Sequence, residues 1–436
     1  MAGSARDAAY EALERCRKDQ AWSGASLDGC IRKYALEPRD ASLATRLCLG
    51  VLQNERYLDY YIDRFCTHPP EPKLRQVLRI GAYQLLFLDK IPAYSAVDET
   101  VALCSRVGLA RARGMANAVL RRLSACAHEL PPLPSGDPAE TLSLRYSHPR
   151  WLVERLLSEH DAAFTEAFLR ANNEPAPLCL QINTLKVSER EYCRSLDRLS
   201  IPYRASALPG CLLLDGGTVG SLPGYEDGLF YVQDLAARAS VAAADPKPGD
   251  RVLDACAAPG GKSFSAAVAM QGEGSILSCD IHANKLQRLQ SGAERLGISC
   301  IQTMLRDGRE PSEAFSGAFD LVLADVPCSG LGVIRKRPEI RKKNSEGVDA
   351  LPSIQAALLD NLALFVRPGG TLLYSTCTVL NAENADLVRA FLARHPEYEP
   401  EDFEVGGFRS RNGCYAFWPQ IDGTDGFFAA KLRRIQ

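Results

Sequence analysis

Metal-ligand spacing is missing from this sequence. Its 15 cysteines contain no C-x-x-C or C-x-x-x-x-C pair, and the closest neighbours, Cys16/Cys30 and Cys179/Cys193, stand 14 positions apart. With only 6 histidines scattered among them, a zinc knuckle or ribbon is excluded. An odd number of cysteines cannot pair completely, so the expectation is reduced thiols in a reducing compartment. The opening Met1-Ala2-Gly3-Ser4-Ala5-Arg6-Asp7 lacks the apolar core of a signal peptide. Nor does any run approach the ~18 uninterrupted apolar residues of a membrane span. Excess charge is missing too: Lys+Arg 51 against Asp+Glu 53 gives a net charge of −2, which rules out coating nucleic acid by bulk electrostatics and leaves only a local patch.

What is present is length and order. The 436 residues give room for roughly two to four domains at ~100–200 residues each. Residues 1–127 read as helices. Leu74, Val77, Leu78, Gly81, Ala82, Leu85 and Leu88 form one stripe at three-and-four spacing, predicting a helix with one buried face. A second run starts near Val97 and continues through Val101, Leu103 and Leu109 toward Val119 and Leu120. Before it, Ile91-Pro92-Ala93-Tyr94 predicts a turn, with Ser95 as the cap. Arg111, Arg113, Arg121 and Arg122 are candidates for RNA phosphates, or simply a solvated basic face. Residues 128–145, with Leu130-Pro131-Pro132-Leu133-Pro134-Ser135-Gly136-Asp137-Pro138, predict a linker. Residues 146–235 predict a small α+β unit, with strands at Leu178–Asn183 and Cys211–Leu214 around a helix at Ser188–Leu199. From 236 to 436, buried strands at Arg251–Ala255, Ser275–Asp280, Asp320–Asp325 and Thr371–Ser375 alternate with helices, which predicts a doubly wound, mostly parallel α/β sheet.

The first of those strands runs into Cys256-Ala257-Ala258-Pro259-Gly260-Gly261-Lys262-Ser263. Glycines at this place let a ligand approach the backbone, with helix-end N–H groups facing it. A phosphate-binding P-loop needs glycine where Cys256 stands, and a dinucleotide fingerprint needs G-x-G-x-x-G. A nucleoside-binding methyltransferase fold needs only a short glycine turn and an acid ending the next strand. Asp280 supplies that acid for the ribose hydroxyls, and Asp307 follows the third strand where an adenine edge would lie. Each aspartate alone is as well explained as a loop or capping residue; as a set at successive strand ends they favour a ligand.

Two cysteines stand apart. Cys328, in Asp325-Val326-Pro327-Cys328-Ser329-Gly330, and Cys377, in Ser375-Thr376-Cys377-Thr378, follow the fourth and fifth strands. A lone buried cysteine is usually inert packing. Two at matched strand ends converge on the edge where open α/β sheets bind ligands. Methyl transfer to carbon 5 of a cytosine calls for a thiolate. The ring is electron-poor, and addition to carbon 6 turns carbon 5 into an enamine carbon able to attack a sulfonium methyl. The residues themselves do not say which cysteine attacks.

Cys256-Ala-Ala-Pro-Gly-Gly-Lys262, Asp325-Val-Pro-Cys-Ser-Gly330 and Ser375-Thr-Cys-Thr378, in this order, resemble the RNA 5-methylcytosine methyltransferases of the RsmB/Sun family. Residues 1–127 resemble the NusB-type RNA-binding domain of its ribosomal members, notably Arg79-Ile-Gly-Ala-Tyr-Gln-Leu85 and Ile91-Pro-Ala-Tyr-Ser-Ala-Val-Asp-Glu99. Phe417-Trp-Pro-Gln420, Asp425-Gly-Phe-Phe428 and Gln233-Asp234 match as well. The resemblance implies a multidomain chain: an all-α NusB-like domain, a small α+β RNA-binding domain and a Rossmann-like S-adenosylmethionine-dependent domain. It implies that Cys256, Ala257, Ala258, Pro259, Gly260, Gly261, Lys262, Asp280, Asp307 and Asp325 hold S-adenosylmethionine. In the family the cysteine of the Thr-Cys motif attacks, which makes Cys377 the nucleophile, while Cys328 assists proton removal and product release. Cys256 would contribute backbone geometry only.

The expected substrate is a cytosine of 16S ribosomal RNA, with no metal and no membrane, for a cytoplasmic monomer. A transfer RNA methyltransferase is the rival within the class. A non-catalytic RNA-binding assembly factor is the rival outside it, and would predict a decayed cysteine pair or cofactor loop. Gln181 stands where the family often has arginine, which points to a weakened RNA contact; Val326 stands where alanine is common. The basic run Arg335-Lys336-Arg337-Pro338-Glu339-Ile340-Arg341-Lys342-Lys343 is either a solvated face or, being close to Cys328, a border of the pocket mouth that takes RNA phosphates. His148, His160 and His282 have no metal or triad spacing and read as structural.

Overall fold

A computed structural model describes residues 3–19 and 22–436; Met1 and Ala2 of the N-terminal stretch read above lie outside the described residues. The chain forms two compact units, one of residues 1–174 with 334–343, the other of 175–333 with 344–436.

The first unit is helical: α1 (Ala5–Lys18), α2 (Ser23–Lys33), α3 (Pro38–Gln53), α4 (Glu55–Phe65), α5 (Pro72–Phe87), α6 (Ala93–Arg106), α7 (Arg113–Ala125), α8 (Pro138–Tyr146), α9 (Arg150–Glu159) and α10 (Ala162–Ala171). Leu13, Leu47, Val51, Val77, Ile80, Leu103 and Leu120 share its core. Helix α5 is more deeply set than one apolar stripe requires. Gln76, Arg79 and Gln84 are buried as well, and Arg79 is kept in place by Asp59 at 2.5 Å and Glu55 at 3.0 Å. The cap at Ser95 is not observed. Pro92, with φ −58°, opens α6 directly, so Ser95 falls inside the first turn. The apolar run from Val97 to Leu120 is two helices, parted where Gly108 turns to φ +81°.

The linker expected over 128–145 is shorter. Asp137 accepts the N–H groups of Ala139 and Glu140, and Pro138 takes the first helical position of α8. Residues 150–171 form the helices α9 and α10, which cluster with the first unit.

The second unit holds two sheets. The smaller has the order β2-β3-β1-β4, from β1 (Leu178–Ile182), β2 (Arg204–Ala205), β3 (Cys211–Leu214) and β4 (Phe230–Val232), with α11 (Glu189–Arg198) capped by Ser188 through a reciprocal bond with Glu191. Gln181 lies inside it, 1% exposed, donating to the Gln233 carbonyl at 3.0 Å.

The larger sheet comprises β5 (Arg251–Asp254), β6 (Ser275–Asp280), β7 (Ile301–Leu305), β8 (Phe319–Asp325) and β9 (Val366–Thr376), parallel in the order β9-β8-β5-β6-β7. Antiparallel strands extend its β9 edge: β10 (Tyr398–Pro400), β13 (Cys414–Phe417) and β14 (Phe427–Arg434). A separate pair, β11 (Glu404–Val405) and β12 (Phe408–Arg409), stands beside them. Alternation along the strands supplies two cores. Leu253, Val322, Leu372 and Tyr374 face one way; Val252, Leu321, Leu323 and Leu373 face the other. That period of two demands cover on both faces. It comes from α12 (Leu235–Ala244), α13 (Gly261–Ala269), α14 (Ala283–Leu296), α16 (Leu351–Ala363) and α17 (Ala385–Arg394), with the short α15 (Ser345–Asp349) leading into α16.

Candidate active site

The chain leaves β5 for β6 and β7 on one side, then returns to β8 and β9 on the other, so the strand order reverses between β5 and β8. The carboxyl ends of strands beside such a reversal open a crevice. The segment 256–262, Asp280, Asp307, Asp325, Cys328 and Cys377 all fall at those ends.

The loop after β5 is tightly built. Ala257 donates its N–H to the Cys279 carbonyl at 2.8 Å and Gly260 to the Ala257 carbonyl at 2.7 Å. Gly260 has φ +113°, and a Cβ there would stand 2.6 Å from Phe264 and 2.8 Å from Leu289. Glycine is therefore required where the loop enters α13. Gln233 lies under the next residue and accepts the Ser265 hydroxyl at 2.5 Å. Burial and the surrounding aspartates push the Cys256 thiol far up, so it stays protonated.

The four acids have different surroundings. Asp280, 8% exposed, accepts the backbone N–H of His282 at 2.9 Å. Asp307 is gripped by the Arg309 guanidinium at 2.6 Å, which holds its carboxyl below the ordinary range. Asp325 accepts from Ser375 at 3.0 Å and pairs with Lys262 at 2.6 Å, while the same ammonium sits 4.9 Å from the Phe427 ring centre. Asp254 was not anticipated. Burial pushes its carboxyl up to about 7; Ser263 donates to Oδ2 at 2.6 Å, and Oδ1 has no hydrogen-bond partner among the described residues. An acid at the last position of the first strand was the available signal.

The two cysteines meet. Cys328 Sγ and Cys377 Sγ lie 3.3 Å apart, contact distance for thiols and well beyond the ~2.05 Å of a disulfide. Two thiolates cannot share such a contact. The contact with Cys377, and then burial, raises the Cys328 thiol well above its ordinary range. One of the two sulfurs therefore keeps its proton, and at 3.3 Å either can be the donor. The loops around them are pinned: Val326 donates to the Ser375 carbonyl at 3.2 Å and Gly332 to the Cys377 carbonyl at 3.0 Å. A second residue that was not anticipated, Glu383, is buried beneath both loops.

Residues 334–343, with the basic run, cluster with the helices of the first unit. There Arg337 lies 4.8 Å from the Trp22 ring centre, Glu339 accepts the Ser23 hydroxyl at 2.7 Å, and Lys342 pairs with Glu55 at 3.3 Å. His148 is fully buried, with Nδ1 2.8 Å from the Tyr146 carbonyl, and burial drives its pKa well down. His160 stacks on Phe164. Among the described residues no cluster of three or more His, Cys, Asp or Glu is arranged to hold a metal, and no helix is long and apolar enough to cross a membrane.

Comparison with known proteins agrees with this arrangement. Residues 241–433 match the family model of the 16S rRNA methyltransferases RsmB/F, residues 3–125 that of the NusB family, and residues 148–219 that of the RsmF/B-like ferredoxin-like domain. The probable ribosomal RNA small subunit methyltransferase B of Bacillus subtilis (strain 168) is 34% identical over 99% of both chains. Ribosomal RNA small subunit methyltransferase B of Pseudomonas putida is 34% identical over 99% of this chain and 98% of its own. Among solved structures, PH0851 superposes with a TM-score of 0.83 at 28% identity over 98% of each chain. NSun6 from Pyrococcus horikoshii, solved with SFG, covers 66% of this chain and 98% of its own at a TM-score of 0.61 and 21% identity, a likeness of fold. The chain belongs to the RsmB/F family of small-subunit ribosomal RNA methyltransferases, with a NusB-like helical N-terminus, a ferredoxin-like small domain and a Rossmann-like methyltransferase domain.

Proposed function

We propose that this protein methylates carbon 5 of a cytosine in 16S ribosomal RNA through a covalent cysteine adduct, using S-adenosylmethionine. The observation that carries the reading is the pair of thiols, 3.3 Å apart, at the carboxyl ends of β8 and β9. The residues present suit the cofactor. Gly260 leaves a cradle that any Cβ would fill, and carboxylates at the ends of β5, β6 and β8 and after β7 suit a cation carrying ribose hydroxyls. Segment 256–262, Asp280, Asp307 and Asp325 would hold it. Once bound, it supplies a methyl group made electrophilic by a sulfonium.

The chain's own part is to activate and release the base. Cys377, as thiolate, adds to carbon 6, and the ring electrons move to make carbon 5 an enamine carbon. Cys328, 3.3 Å away, is placed to donate its S–H to that thiolate and orient it. After methylation carbon 5 carries both a methyl group and a proton. With Cys328 assisting, a water molecule takes that proton, the C5–H electrons re-form the 5,6 double bond, and Cys377 leaves carbon 6 as thiolate. The cytosine has to leave its stack to reach the thiols, at a cost of about a few kcal/mol. The exposed Arg111, Arg113, Arg121 and Arg122 suit the RNA backbone. A monomer in the cytoplasm, where thiols stay reduced, fits the chemistry.

Cys377→Ala is expected to abolish transfer of labelled methyl groups to 16S ribosomal RNA; full activity would reassign the nucleophile. Cys328→Ser is expected to accumulate a protein–RNA adduct that survives a denaturing gel. Mapping 5-methylcytosine in total RNA from a deletion strain decides between ribosomal and transfer RNA. Loss of a mark only in transfer RNA would overturn the substrate.

A further inference from the structure

We infer that Glu383 is a positioning residue: its carboxylate clamps the loop carrying Cys328 to the loop carrying Cys377 and so sets the spacing of the two thiols. Its functional meaning rests on the reading of those cysteines as the reacting pair.

Glu383 sits at the end of the turn Asn381–Glu383 and is 1% exposed. A carboxylate so deeply buried needs donors, because an unpaired charge there is costly. Its donors come from both cysteine loops. Ser329, the residue after Cys328, gives its backbone N–H at 2.8 Å and its hydroxyl at 2.5 Å. Thr378, the residue after Cys377, gives its hydroxyl at 3.1 Å. The Ser329 and Thr378 hydroxyls also lie 2.6 Å from each other. Gln355 of α16 completes the set at 2.9 Å, and its amide nitrogen also reaches the carbonyl of Pro327, the residue before Cys328, at 3.0 Å. Tyr374 fixes the clamp from below by donating to the Glu383 carbonyl at 2.6 Å.

The chemistry of these partners calls for a carboxylate. Every neighbour presents a hydrogen, and an ionised carboxylate accepts on both oxygens. A glutamine in the same volume accepts on one side only. In place of Oε2 its NH2 would face the Ser329 backbone N–H and the Gln355 amide, two donors; in place of Oε1 it would force the Ser329 and Thr378 hydroxyls to accept instead of donate, so either way the clamp loosens. The two cysteines are 49 residues apart in sequence, so their contact depends on what holds the loops together. Misplacement by about 1 Å costs on the order of a hundredfold in rate when reacting groups must be aligned.

The test is Glu383→Gln in the full-length protein, read in two ways. The first is the rate at which diamide, a thiol-oxidising azo compound, links Cys328 to Cys377. Two thiols become one disulfide, the diazene is reduced to the hydrazine, and the product is followed by peptide mass. This readout needs neither RNA nor S-adenosylmethionine, so it stands or falls apart from the proposed reaction. The second is steady-state methyl transfer. We expect linking to slow by about tenfold and kcat to fall by ten- to a hundredfold, with KM for S-adenosylmethionine unchanged within about twofold. A folded Glu383→Gln protein that links the cysteines at the wild-type rate overturns the clamp. Should that variant fail to fold by circular dichroism, Thr378→Val, which removes one hydroxyl from the carboxylate, carries the same test. It is expected to slow linking by about threefold, and an unchanged rate overturns the proposal. Slowed linking with unaltered kcat would uphold the spacing but overturn its catalytic meaning.

Discussion

Asp254 ends the first parallel strand with its carboxyl closed off from solvent, 1% exposed, and burial is the main reason it is pushed up to about 7. Asp325 adds to the rise and the Ser263 hydroxyl opposes it. The sign of the consequence follows from linkage. An acid at about 3.9 when unfolded and about 7 when folded binds more protons in the folded state between those values, so folding stability falls as pH rises through that window and levels off above it. Asp254→Asn removes the titration. Relative to the wild type, the variant is expected to gain on the order of 4 kcal/mol between pH 4 and pH 7. Urea unfolding of both proteins at several pH values measures this; parallel stability curves would show that Asp254 is ionised at no unusual cost. At this scale the sequence is most legible where a side chain ends an apolar run. Asp280, Asp325, Cys328 and Cys377 are found that way. Glu383 is not, because what marks it is burial among donors brought from distant segments, whereas Asp254 ends β5 in the same way as the others and is set apart only by its burial. Gln181 shows the same limit: its burial and its bond to the Gln233 carbonyl come from packing, not from its place in the sequence.

At the scale of elements, the loop between β8 and α15 has to turn away directly after Cys328. Gly332 makes this possible by close approach: its carbonyl accepts the N–H of Gly426 at 2.9 Å, and a Cβ on Gly332 would meet the Gly426 carbonyl oxygen at 1.8 Å. Backbone cannot yield as a side-chain tip can. Gly332→Ala is therefore expected to cost about 1–3 kcal/mol of stability and to lower methyl transfer more than tenfold, by shifting the Cys328 loop off the start of β14. Wild-type activity with an unchanged melting temperature would show that the approach is dispensable. The parallel strands were legible because each is a short β-branched or leucine-rich run bounded by turn residues. The antiparallel strand β14 was not. Its Phe427–Leu432 run is broken by Lys431, whose side chain is only 10% exposed because it is paired with Glu401 at 2.7 Å, a partner the sequence does not announce. Helix α8 was lost to its prolines, although Pro138 behind Asp137 is a helix start.

For the whole molecule, the unexpected feature is the path of the chain. After Val333 it leaves the methyltransferase unit, contributes residues 334–343 to the helical unit, and returns at Asn344. Arg341 anchors this excursion. Its guanidinium is buried and donates to the carbonyls of Gln53, Tyr146, Ser147 and Asn172 and to Asn173 Oδ1. The four backbone carbonyls lie at the ends of α3, α8 and α10, where helices run out of internal donors. A planar fork with five N–H groups can serve several of them at once, which a lysine cannot. From sequence alone, Arg341 is one cation in a basic run. Nothing in its neighbours distinguishes an arginine that meets phosphate from one that meets peptide carbonyls, since both are arrays of oxygen acceptors. Arg341→Met keeps volume and removes every donor. It is expected to destabilise the helical unit by about 3 kcal/mol, lowering the urea midpoint. It should also free the segment 334–343, whose arginines and lysines make it an immediate trypsin target. Wild-type protein should resist cleavage there under native conditions, and the variant should be cut within that segment first. Equal cleavage rates with equal urea midpoints would mean that the other contacts of the segment, Glu339 to Ser23 and the Trp151 indole to the Lys343 carbonyl at 3.0 Å, hold it without Arg341.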